Sequence, residues 1–225
     1  MNKNAGNALI RGILFAAAFV VWTWLVTAVD VQPIGPGGSA VGFAGLNRRF
    51  HTLTGVHMAL YTVTDWLGLV PLFVCTAFGG LGLWQWIGRR SLLKVDRDLI
   101  LLGIHYIVVM AGYLFFEAVP INYRPILTGG IAEASYPSST TLLVLGVMPT
   151  LVFQVSRRSQ SAFLVKTIRT VVSVFSAFMV TGRLICGVHW LTDIAGAILL
   201  SLSAFHLYVA AVNHGCQGGL NRGIS

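Results

Sequence analysis

Long apolar stretches separated by short polar ones set the plan of this chain. The first, Ala8 to Val29, is interrupted only by Arg11 near its start. Others extend from about Met58 into Trp86, from Leu99 to about Val119, from Pro137 to Arg157-Arg158, from about Val171 to Leu184, and from about Leu191 to Val212. Runs of this kind, rising about 1.5 Å per residue as helices, are the length scale of a bilayer core. The pattern predicts an all-α, polytopic membrane protein with six transmembrane helices, forming one domain over residues 1–225. A signal peptide is the rival reading of the first run, because Lys3 and Arg11 precede its apolar centre. That run is long for a signal and no small-x-small cleavage site follows it, so an uncleaved span is expected.

Local signals refine the plan. Pro71 predicts a kink in the second span. Asp30 to Gly55 is a Gly- and Pro-rich connection in which Leu46 to His51 reads as a short interfacial helix. Pro137 with Ser138, Ser139, Thr140 and Thr141 reads as the first turn of the fourth span. Lys166 and Arg169 fall in the loop before the fifth. Trp22, Trp24, Trp84 and Trp86 read as belt or packing residues.

Composition supports the membrane reading: 56% of the 225 residues are hydrophobic and 10% charged, against about a quarter charged in a soluble domain. The net charge of +8 is first a topology signal. Of the Lys and Arg residues, only Arg48, Arg49, Arg124 and Arg183 fall on one side of the six spans; the rest lie on the other, with both termini. The positive-inside rule makes the crowded side cytoplasmic. No motif supports nucleic-acid binding. Cys75, Cys186 and Cys216 are too few and scattered for a disulfide framework or metal site and read as free thiols.

The chemistry-bearing stretch is Gly182 to Asp193. His189 and Asp193 are four apart, so on a helix beginning near His189 they share a face. A carboxylate there accepts from one imidazole nitrogen, fixing the tautomer and leaving the other nitrogen to attack or to take a proton. Arg183 adds a planar fork suited to a phosphate. The topology brings this turn to the sparsely charged side with Arg124-Pro125 and with Pro137 to Thr141. Two arginines, a hydroxyl-rich helix start and a His–Asp pair together describe an anion site with a nucleophile. The plainer readings are a helix-start pair for His189 and Asp193, an interfacial anchor for Arg124, and caps for Ser138, Ser139 and Thr140. His105 and His206 read as packing or hydrogen-bonded residues, and Asp65 as a cavity residue or the partner of a buried polar group.

These residues carry a resemblance to the type 2 phosphatidic acid phosphatase family. Its motifs are Lys-x6-Arg-Pro, Pro-Ser-Gly-His and Ser-Arg-x5-His-x3-Asp. The likeness runs from about Glu117 through the sixth span, within a motif-bearing core of about 99–212. It implies a helical bundle and hydrolysis of a lipid phosphate monoester or diphosphate at the outer membrane face, without metal or cofactor. By position, His189 would form a phosphohistidine, Asp193 would orient it, Arg124 and Arg183 would grip phosphate oxygens, and Ser138 with Ser139 would complete the cradle. The resemblance and the loop pattern imply a bacterial plasma membrane. A lipid bearing a phosphate or diphosphate would be the partner.

Three positions depart from the motifs. Glu117 replaces the Lys, Thr140 replaces the second-motif His that protonates the leaving group, and Gly182 replaces the third-motif Ser. Three accounts stay open. Another acid substitutes, with His57 the best placed and His51 and Glu117 behind it; or a diphosphate leaving group needs less help; or the chain is a catalytically impaired relative that binds or senses a lipid phosphate. A headgroup transporter is the weaker third class, because it needs a polar path through the spans.

Overall fold

The computed structural model describes residues 3–215, so the expectations for Cys216 and Arg222 lie outside the described residues. Eight α-helices follow in order: α1 (Lys3–Ala28), α2 (Ala44–Thr54), α3 (Met58–Leu67), α4 (Leu69–Arg89), α5 (Arg97–Ala118), α6 (Ser139–Arg158), α7 (Ala162–Ile185) and α8 (Leu191–Gly215). Among the described residues, six helical segments are long and apolar enough to cross a membrane, with α3 and α4 together forming the second. Pairing among the described residues outside helices is limited to isolated bridges, such as Tyr123 with Ala134.

α6 and α8 form the centre. Half of the apolar window of α6 is buried, against 6% for the α3–α4 segment. The outer helices instead present Ile, Leu, Val, Phe and Trp side chains outward, as with Leu14, Trp24, Phe73, Trp84 and Ile107. Such a surface fits a hydrocarbon solvent. α1 lies along α8; the buried small residues Ala5 and Ala8 allow the close approach. Ser203 Oγ also donates to the Gly12 carbonyl at 3.0 Å.

Charges gather at the end where α4 gives way to α5 and α6 finishes. Arg89 pairs with Asp96 at 2.8 Å and Arg158 with Asp98 at 2.9 Å. The opposite end collects the close of α5, the start of α6, the close of α7 and the start of α8. All the motif residues lie there.

Four expectations change in detail. The kink foreseen at Pro71 appears as a break at Gly68, one turn earlier. Proline has no N–H for the carbonyl four residues back and crowds it, so the disruption falls upstream of the ring. The fifth span begins at Ala162, capped by Ser161 Oγ, which accepts from Leu164 N at 3.2 Å. Lys166 and Arg169 are therefore helical and exposed. Pro137 precedes the N-cap Ser138 and lies outside the first turn. α8 begins at Leu191, so His189 sits in the preceding turn and not on the helix. The short helix expected at Leu46 to His51 is present as α2.

His105 and His206 are hydrogen-bonded inside the bundle, to the Gly146 carbonyl at 2.7 Å and the Leu202 carbonyl at 2.9 Å. Trp22 is a packing residue: its Nε1 donates to the Thr192 carbonyl at 3.1 Å, and its ring stacks on Phe43. Cys75 and Cys186 are free thiols.

Candidate active site

Three connections build the site. The segment between α5 and α6 folds back on itself at Gly129-Gly130, both at positive φ. Arg124 N donates to the Glu133 carbonyl at 3.0 Å, and Ser135 N to the Asn122 carbonyl at 2.9 Å. In extended chain, residues two apart point the same way. Asn122 and Arg124 on one arm therefore face as Glu133 and Ser135 do on the other. Arg124 Nη1 pairs with Glu133 Oε2 at 3.0 Å.

The second connection is the turn from Cys186 to Trp190. Gly187 adopts φ +74°, and a Cβ there would lie 2.1 Å from the Gly55 carbonyl oxygen. Only glycine fits that contact. The α2–α3 junction grips this turn from outside: His57 N donates to the Cys186 carbonyl at 3.0 Å, and His51 Nε2 to the Gly187 carbonyl at 3.1 Å.

Within the turn, His189 is 3% exposed and Asp193 fully buried. The expected direct bond between them is absent: His189 Nδ1 lies 3.9 Å from Asp193 Oδ2. Ser135 bridges them, its Oγ 3.1 Å from Nδ1 and donating to Asp193 Oδ2. Arg183 Nη2 faces the other imidazole nitrogen, Nε2, at 3.1 Å. A guanidinium can only donate, so Nε2 carries the lone pair and Nδ1 the proton. The order is Arg183 N–H to Nε2, Nδ1–H to Ser135 Oγ, and Ser135 O–H to Asp193. Asp193 also accepts from Trp190 N at 2.9 Å, closing the start of α8, and from Asn122 Nδ2 at 3.2 Å.

Burial pushes the His189 imidazole down to about 4; the Arg183 charge adds to this and Asp193 opposes it. The imidazole is therefore neutral at pH 7, the form a nucleophile needs. The consequence for stability has a definite sign. The unfolded chain takes up this proton near 6.5 and the folded protein only near 4. The stabilisation is complete above pH 6.5 and is lost as pH falls toward 4. Melting temperature of the detergent-solubilised protein should drop between pH 7 and 4.5, and drop less in His189→Gln.

Arg183 is 1% exposed. Its guanidinium lies over the Tyr61 ring at 4.9 Å, and Nη1 is 3.6 Å from Asp65 Oδ1. Arg124 approaches the same Tyr61 ring at 5.8 Å and donates from Nη1 to the phenol oxygen at 3.2 Å. Buried Nε and Nη1 of Arg183 and Nε of Arg124 have no hydrogen-bond partner. Buried donors of this kind call for an acceptor, and a phosphate offers several oxygens in the required geometry.

Ser138 is fully buried as the N-cap of α6, and its N donates to the Asp193 carbonyl at 3.2 Å. Its Oγ donates to Thr141 Oγ1 at 3.1 Å and makes no cap bond to the backbone. Thr140 is buried in the same first turn, its methyl toward Gly68. Ser139 and Glu117 line a small cleft with Tyr113, Phe116 and Pro137, which includes neither arginine nor His189. Glu117 is exposed and makes no ion pair among the described residues. His57 is also exposed, its Nε2 held by the Thr54 carbonyl at 2.8 Å. Asp65, foreseen as a cavity residue or ion-pair partner, pairs with Arg183.

Sequence reasoning did not reach Ser135, Asn122 or Tyr61. Gly129-Gly130 is a turn signal that could have suggested the fold-back, and hence Asn122 opposite Ser135. Nothing local marks Tyr61.

No protein-family model and no curated protein sequence matches the chain. Among solved structures, the fold is similar to the crystal structure described as the first transmembrane PAP2 type phosphatidylglycerolphosphate phosphatase from Bacillus subtilis. The TM-score is 0.58 and the identity 15%, over 96% of this chain and 98% of that one. The two chains share a fold over nearly their whole length.

Proposed function

We propose that this protein hydrolyses a phosphate monoester or diphosphate on a membrane lipid, at the outer face of the membrane, through a phosphohistidine on His189. The observation that carries the reading is the ordered array from Arg183 through His189 and Ser135 to Asp193. It presents a neutral imidazole with its Nε2 lone pair directed at a buried guanidinium. The shared fold with a PAP2-type phosphatase supports the same reading.

In the resting protein Arg183 covers Nε2. A phosphate entering between Arg183 and Arg124 competes for the guanidinium through its oxygens and uncovers the nitrogen. Nε2 then attacks phosphorus as the bond to the leaving oxygen breaks. The Nδ1 proton is shared toward Ser135, and Asp193 balances the positive charge that develops on the ring. First-turn N–H groups of α6, unclaimed by the Ser138 hydroxyl, would be further donors for phosphoryl oxygens. Water next attacks the phosphohistidine, releasing inorganic phosphate and restoring the imidazole. The headgroup is handled in this polar end while the lipid tail stays among the apolar spans.

Phosphate release by purified, detergent-solubilised protein over a panel of lipid monophosphates and diphosphates tests the reading, with EDTA present in one arm. Release that survives EDTA is expected. Thr140, which lacks the acid of the family motif, favours a second reading, a headgroup-binding protein. Binding of lipid phosphate with no release from any substrate would select that one.

A further inference from the structure

The reaction needs a proton for the leaving oxygen, and neither Thr140 nor the resting His57 supplies one at the two arginines. We propose that Tyr61 is the proton donor. The inference rests on the phosphohistidine reading and adds the missing acid.

The sequence places Tyr61 one turn into α3, where Leu60 and Thr64 share one edge and Tyr61 and Asp65 the next. α3 reaches α7 at Gly182. A Cβ there would lie 2.7 Å from Thr64 Cγ2 and 3.6 Å from Leu60 Cδ1. The residue that departs from the third motif is therefore the one that lets α3 close on α7. That approach delivers Asp65 and Tyr61 onto Arg183. Two departures from the motifs, Gly182 for Ser and Thr140 for His, thus meet in one arrangement: the space opened by the first admits a group that makes good the second.

Tyr61 is suited to the task. Its oxygen accepts from Arg124 Nη1 at 3.2 Å, which leaves its own O–H to donate elsewhere. Its ring lies against Arg183, whose Nη2 also contacts His189. Nucleophile and phenol thus both border the arginine pair that would hold the phosphate. A phenol is a much stronger acid than the alcohol of a threonine, and Arg124 remains beside the phenolate that donation leaves. The proton balance closes. The Tyr61 O–H proton passes to the leaving oxygen as the phosphorus–oxygen bond breaks. The phenolate then takes a proton from the water that opens the phosphohistidine, and both residues return to their starting forms.

A leaving-group series separates this role from a structural one. kcat/KM is measured on aryl and alkyl phosphates of rising leaving-group basicity, for wild type, Tyr61→Phe and His57→Ala. With proton donation, Tyr61→Phe should lose about 100-fold or more on alkyl phosphates. It should lose little on 4-nitrophenyl phosphate, whose leaving group needs no proton, so the dependence on basicity steepens. Equal loss on every substrate would show a binding or structural role and overturn the proposal, as would no loss on any. A steeper dependence in His57→Ala and not in Tyr61→Phe would give the proton to the imidazole and overturn it equally. A wild-type protein inactive on the whole series would instead refute the underlying hydrolase reading, and this inference with it.

Discussion

His189→Ala should abolish phosphate release, by about 10⁴-fold or more, while the protein still inserts and folds. The size follows from the role: removal of a covalent nucleophile leaves only binding and electrostatic stabilisation to act on water. Folding should survive because the ring is held by side chains. Its nitrogens meet Ser135 and Arg183, whereas the turn is fixed by backbone contacts from the α2–α3 junction. The truncation leaves a small buried space and two polar groups short of one partner. It should therefore cost about 1–3 kcal/mol of stability, visible in the melting midpoint but short of unfolding. Phosphate release and thermal unfolding on one preparation check both halves. Intact folding with full activity would remove His189 from the mechanism.

Arg183→Ala should lower kcat/KM by about 10²- to 10³-fold, the scale for removing one preorganised donor to developing charge. Arg183 contacts His189, Tyr61 and Asp65 together, and its unpartnered Nε and Nη1 are the buried donors on offer to a phosphate. Arg124 keeps some grip, so the loss should be smaller than for His189. Arg183→Lys should recover little, because a point charge cannot reproduce the planar fork that spans phosphate oxygens and stacks on a ring. Steady-state kinetics of the two variants decide the matter. A lysine variant with wild-type kcat/KM would show that charge alone suffices.

What could be read in advance divides by physical cause. The six spans were legible because apolar length is a strong signal, and α2 because its composition breaks from the surrounding Gly and Pro. The start of α7 was missed because Lys166 and Arg169 lower the local hydropathy. The helix continues through them regardless, since Phe163, Leu164, Val165 and Ile168 keep an apolar surface. Arg183, His189 and Asp193 were legible as costly polar groups at regular spacing in apolar sequence. Their relation was not. A spacing of four suggested a helical pair, but His189 stands before α8 and needs Ser135, distant in sequence, to reach Asp193. Ser135 is delivered by the fold-back at Gly129-Gly130, and Tyr61 by the close packing at Gly182. Such contacts come from tertiary packing and leave no periodic trace.

The central claim is a phosphoryl group carried on His189, and it is tested most directly by trapping that group. Solubilised protein is mixed with a lipid phosphate labelled with radioactive phosphorus and quenched in alkali within the first turnover. Bound label that is alkali-stable and acid-labile, appears on wild type, chases off with water and is absent from His189→Ala is the predicted result. Turnover with no protein-bound label, or equal labelling of His189→Ala, would contradict it.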